Sequence, residues 1–187
     1  MMKKAYKIIP VIALIALVLI FTIYFLTREK TYDSSLLTLE QLKQGEEYQF
    51  DEITWNISAK EVSSLLPYYL LKDTQKTPVP TNITYYKSRN YYVLDGQSAT
   101  ASFEFHSDEL KILKFDFHLD ENYEEWFEKQ VAGLTQLYGP ESDKMENVSE
   151  QFNSVGYKWQ TDNTTLQIIL LTGNNIHPSA TIGIGIK

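Results

Sequence analysis

A run of 19 uncharged, mostly apolar residues at positions 8–26 constrains this chain more than any other stretch of it. As a helix rising about 1.5 Å per residue, such a run is close to 30 Å long, the thickness of a bilayer's hydrocarbon core. Lys3, Lys4 and Lys7 precede it; Arg28 and Lys30 follow, with Glu29 between them. A cleaved secretory signal has a shorter apolar core and a small-residue cleavage site behind it. Here Tyr24, Phe25 and Leu26 stand where small residues are needed. The run therefore predicts an uncleaved signal anchor. Pro10 falls in its first turns, where a missing N–H costs little. Positive charge is denser on the leading side, which places the N-terminus in the cytoplasm and the rest outside. The expected organisation is a cytoplasmic tail at 1–7, a transmembrane signal anchor at 8–27, a linker at 28–35 and an extracytoplasmic domain at 36–187. The expected location is a bacterial cell membrane, crossed once.

Composition narrows what that domain does. Residues 31–187 hold 12 of the 17 Lys and Arg but 23 of the 24 Asp and Glu, a net charge of −11. Such a surface repels nucleic acid and anionic headgroups and suits cationic partners or plain solubility. The chain has no cysteine, which removes disulfides, thiolate metal sites, cysteine nucleophiles and lipid-modified cysteine together. A domain of this length without disulfides fits a bacterial envelope protein stabilised by its core.

Periodicity predicts an antiparallel α+β domain. Thr38 with Gln41 caps a brief helix that Gly45 ends. Residues 48–55 partly alternate and read as a strand. Ser58-Ala59-Lys60-Glu61 is a capping box opening a second helix, with Val62, Leu65 and Leu66 on its apolar face. Strands follow at 83–87 and 91–94. Residues 99–106 and 111–119 form a hairpin in which Ser107 opposite Lys111 sets Glu104 against Lys114. A helix at 121–138 presents Tyr123, Trp126, Phe127, Val131, Leu134, Leu137 and Tyr138 on one side and stops at Gly139-Pro140. Residues 141–151 read as irregular, and strands follow at 155–160, 165–172 and 180–186. The whole reads as an N-terminal transmembrane helix followed by sheet meanders with helices on one face. Two degenerate helix-plus-meander units are compatible with that order.

Catalytic patterns are missing. His106 and His118 would lie about 20 Å apart in the expected hairpin register, too far to share a metal. His177 precedes Pro178 in a turn. Asp108/Glu109, Asp116/Asp120 and the acids of 121–128 fall in loops or on a helix exterior rather than as a converging pair. There is no nucleophile elbow, Gly-rich phosphate loop or calcium loop. No cofactor and no metal are expected. Tyrosine, by contrast, is over-used, with 13 copies. In a strand, one member of each doublet Tyr85/Tyr86 and Tyr91/Tyr92 faces the core and the other faces out. Exposed tyrosines anchor interfaces or stack on sugars.

Residues 53–66, with their Ser58-x-x-Glu61-Val62-x-x-Leu65-Leu66 pattern, resemble the opening of small envelope modules. These are the SmpA/OmlA outer-membrane-assembly lipoproteins and the β-lactamase-inhibitor-protein-like fold. The 103–119 hairpin and the Leu137-Tyr138-Gly139-Pro140 helix end are similar as well. The resemblance implies a module that binds proteins rather than one that catalyses. The expected function is thus a membrane-anchored protein-interaction module with an envelope protein as partner. The alternatives are a binder of cell-wall glycan or a small ligand and, behind it, a hydrolase with a carboxylate site.

Overall fold

Apolar and polar residues alternate through residues 97–118, and that alternation runs through the whole fold. Ala99, Ala101, Phe103 and Phe105, then Leu113, Phe115 and Phe117, are buried, while the residues between them stay partly exposed. Period-two burial is what a sheet covered on one face requires. The computed structural model describes residues 34–66, 70–73 and 80–187.

Its strands are β1 (Ser34–Leu36), β2 (Lys43–Gln44), β3 (Glu47–Tyr48), β4 (Leu70–Asp73), β5 (Ile83–Leu94), β6 (Gln97–His106), β7 (Glu109–His118), β8 (Asp143–Val148), β9 (Phe152–Gln160), β10 (Thr164–Gly173) and β11 (Ile176–Ile186). The helices are a 3-10 turn at Leu39–Leu42, α1 (Ala59–Leu65) and α2 (Tyr123–Tyr138). One sheet runs β1-β5-β6-β7-β11-β10-β9-β8. β4 also pairs with β5, antiparallel at residues 85–88, and β1 pairs parallel at 91–93. The β2–β3 hairpin stands apart.

The core lies on one face. Phe103, Phe115, Phe117, Ile182, Ile184, Leu166, Ile168 and Trp159 come from the sheet. Leu37, Leu42, Tyr48, Phe50 and Ile53 come from the segment before α1, Val62 from α1, and Trp126, Phe127 and Leu134 from α2. α2 joins central β7 to β8 at the far edge. Sixteen residues make a helix of about 24 Å, and four strand spacings come to about 19 Å, so one helix covers the step. Trp126 Nε1 donates to Leu94 O at 3.2 Å, and Trp159 Nε1 donates to Gly139 O at 2.9 Å, which ties both ends of α2 to the sheet.

The expected α+β class is overturned: eleven strands against two α-helices among the described residues make this a mostly β protein. The meanders β5–β6–β7 and β9–β10–β11 join through β7 and β11 into a single sheet. Among the described residues no helix is long and apolar enough to cross a membrane. The expected tail at 1–7 and anchor at 8–27 lie outside the described residues, as does most of the 28–35 linker.

Four local expectations also change. The strand at 48–55 shrinks to β3, because Asp51 takes a left-handed conformation (φ 48°) and turns the chain between Phe50 and Ile53. The strands at 83–87 and 91–94 are one strand with a bulge between Lys87 and Tyr91. Ser88 holds that bulge, its hydroxyl donating to Asn90 O and accepting from Ala101 N. Residues 143–148, expected to be irregular, form edge strand β8. In the β6–β7 hairpin, Glu104 opposes Ile112, and Ser102 rather than Glu104 opposes Lys114. The cause is a two-residue loop at Ser107-Asp108, both with positive φ (51° and 65°), as mirror-type hairpin turns demand, together with a bulge in which Lys111 is the extra residue between the Phe105–Leu110 and Glu104–Ile112 pairs.

Candidate functional site

The tyrosine doublets of β5 divide between the two faces of the sheet. Tyr92 is 3% exposed, with its ring edge-on to Phe50 and Phe115 at centroid distances of 5.6 and 5.0 Å. Burial pushes its hydroxyl well above the usual phenol range, and Asp51 adds to the push. Tyr86 packs against the core, edge-on to Phe105 at 5.4 Å. Tyr85 and Tyr91 point to the opposite face, and Tyr91 is 43% exposed. The structure thus brings Tyr85 and Tyr91 to one surface and places Tyr86 and Tyr92 in the packing.

That surface is the face of the sheet opposite the core, and among the described residues no helix lies on it. Strand register arranges it in rows. One row runs Asp73, Tyr85, Glu104, Ile112 and Gly185. The next runs Lys87, Ser102, Lys114, Gly183, Gln167 and Lys158. A third runs Tyr91, Thr100, Asp116, Thr181, Ile169 and Gly156. Acidic, basic and mixed rows therefore lie side by side. Lys87 Nζ pairs with Asp73 at 2.9 Å, and Lys114 Nζ reaches Glu104 at 3.9 Å. His106 Nε2 lies 2.7 Å from Glu104 Oε1. Asp116 accepts from Ser102 Oγ at 3.1 Å and from Thr181 Oγ1 at 2.8 Å. Tyr85 has its hydroxyl shifted upward, first by desolvation and then by Glu104. Towards the end of β11, Gly183 and Gly185 carry no side chain and are covered by their neighbours: a Cβ at Gly183 would meet Gln167 at 3.4 Å, and one at Gly185 would meet Lys111 O at 3.0 Å.

The acids singled out in the sequence have structural partners or solvent. Asp116 is engaged as above, Asp108 Oδ1 accepts from Ala59 N at 3.5 Å, and Glu124, Glu125 and Glu128 are exposed on α2. No group of three metal-ligating side chains occurs among the described residues.

A cleft of about 440 Å³ opens on the covered side, lined by Gln41, Phe50, Asp51, Leu65, Leu66 and Tyr92, among others. Burial raises the Asp51 carboxyl, against a hydrogen bond from Gln41 Nε2 at 3.5 Å and with Glu52 adding to the rise. Sequence reasoning missed this cleft, because the turn at Asp51 was hidden inside an apparent strand. It also missed Lys87, Lys114 and Asp116 as surface neighbours of the tyrosines. Their signal was the polar half of the same two-residue alternation that marked the core.

Comparison with known proteins adds nothing to this geometry: no family model, no curated protein and no solved structure matches the chain.

Proposed function

We propose that this chain is a protein-interaction module of a bacterial cell envelope, without catalytic activity. In this reading residues 8–27, which contain the apolar run, hold it to the cell membrane and residues 36–187 face outward. The observation that carries the proposal is the sheet face bearing Tyr85 and Tyr91, with paired charges around them and no described helix above them. A face of aromatic anchors among paired charges suits protein recognition. It offers no converging carboxylates for hydrolysis. The resemblance of residues 53–66 to SmpA/OmlA-type and β-lactamase-inhibitor-protein-like modules points the same way.

The test is in-cell photocrosslinking of the full-length protein from positions 85 and 91, with position 128 on the outer side of α2 as control. Capture of one envelope protein from 85 and 91 but not from 128 is the expected result. The same background from all three positions would overturn the reading.

The cleft at Asp51 favours a second reading, a cell-wall glycan or small-ligand binder, since it combines an aromatic ring with several hydrogen-bonding side chains. Retention of the protein on purified peptidoglycan, lost on Asp51→Asn, would support it. Clean flow-through would remove it.

A further inference from the structure

The two edges of the large sheet are not alike. At one, β1 and β4 both lie along β5. At the other, β8 ends the sheet, and among the described residues nothing pairs with its outer side. All six of its residues are exposed; Met145 is 39% and Val148 80% accessible. An open edge of this kind is a template for another strand unless something blocks it.

Hydrogen-bond parity says how a strand can add there. Ser149 N donates to Phe152 O at 3.0 Å, and Val148 stands opposite Asn153. Counting back by twos, the odd-numbered residues of β8 bond to β9, and Lys144, Glu146 and Val148 turn their N–H and C=O groups outward. An antiparallel copy of β8 must place outward residues opposite outward residues. The twofold axis then passes through a residue rather than between two. An axis through Lys144 sets Lys144 against Lys144, and an axis through Glu146 sets Glu146 against Glu146; both are repulsive. An axis through Met145 sets Lys144 of each chain against Glu146 of the other, twice. Within one chain these two side chains already form an ion pair at 2.6 Å. In the pair the four charges alternate, and Met145 meets Met145 on the opposite face.

We propose that β8 is a self-pairing edge, joining antiparallel to β8 of a second copy of this chain about an axis at Met145, so that the two sheets become one. Of the three registers centred on Lys144, Met145 and Glu146, the charges select this one.

The chain has no cysteine, so one introduced thiol reports the register in the full-length protein in membranes. In the proposed pair the two residues 145 are a non-hydrogen-bonded couple with Cα atoms about 4.5 Å apart, within disulfide reach. The two residues 147 are offset by four positions, about 13 Å, and out of reach. Met145→Cys is expected to form a disulfide dimer on mild oxidation at least about tenfold faster than Asn147→Cys. Equal rates, no dimer, or crosslinking of the thiol introduced at position 145 to a different protein would overturn the proposal. In the Met145→Cys background, Lys144→Glu is expected to slow dimer formation about fivefold or more, and adding Glu146→Lys to restore it to within about twofold. A swap that fails to restore the rate also overturns it. Both residues are exposed, so neither variant endangers the fold.

Discussion

The two faces of this sheet are built by the same strands and carry opposite energetics. Phe115 and Asp116 are neighbours on β7. Phe115 is fully buried, with the rings of Phe50 and Tyr92 edge-on at 5.1 and 5.0 Å. Asp116 faces the other way and accepts from two hydroxyl groups. Burial of apolar area is cumulative and leaves cavities when removed. Hydrogen bonds on a wet face exchange with water and contribute little net. The covered face thus holds the fold, and the open face is free to be chosen for other reasons. The largest expected effect tests this contrast. Phe115→Ala should cost about 3–5 kcal/mol in urea denaturation, and Asp116→Ala about 1 kcal/mol. Comparable losses would mean that the open face is covered and would break the contrast.

A smaller effect sits where the β2–β3 hairpin grips the loop before β10. The Glu47 carboxylate accepts from the hydroxyls of Thr161 and Thr164 and from Asn163 Nδ2, while Tyr48 N donates to Thr164 Oγ1 at 2.9 Å. These bonds, Thr161 first and then Thr164 and Asn163, hold the Glu47 carboxyl below its usual range, and Lys187 helps. A carboxyl lowered on folding stabilises fully above its ordinary pKa of about 4.3 and loses that stabilisation as pH falls through the lowered value. Melting temperatures from pH 6 down to 3 should therefore show wild type above Glu47→Gln at the upper end and the two converging at the lower. A constant gap would mean that Glu47 acts through shape and not through charge.

The core was legible because it repeats. Trp126, Phe127 and Leu134 at helical spacing, and Phe103, Phe115 and Phe117 at strand spacing, are buried as their periods required. The capping box at Ser58 was readable for the same local reason, with Ser58 N donating to Glu61 Oε2 at 2.8 Å. What escaped were features set by non-local pairing. β8 has no apolar period, since all its side chains are exposed, and only its ladder with β9 makes it a strand. The hairpin register turned on Ser107 and Asp108 accepting positive φ, which neither residue announces as Asn-Gly would, and on a bulge at Lys111 that has no local signal. The candidate face was half legible. The doublets implied one outward tyrosine each, but the partners across the sheet depend on a register that the sequence left two residues out. The pairing of β7 with β11, far apart in the chain, has no local signal at all.

The smallest effect follows from that register. Had Glu104 stood opposite Lys114, the pair would have been a close cross-strand contact. Instead they lie on a diagonal, 3.9 Å apart, with the lysine side chain 37% exposed, the glutamate side chain 13% exposed, and His106 nearer to the same carboxylate. A diagonal pair at the limit of ion-pair distance, with its lysine solvated and its carboxylate already shared with His106, gains little Coulomb energy and is screened by salt. A double-mutant cycle with Glu104→Gln and Lys114→Met should give a coupling energy below about 0.5 kcal/mol, vanishing in about 0.5 M salt. Coupling above about 1 kcal/mol would place the pair in a drier setting than an open face and would argue that something rests on it. A near-zero value sharpens the contrast between the faces, because charges that do not hold the sheet together are free to orient a partner.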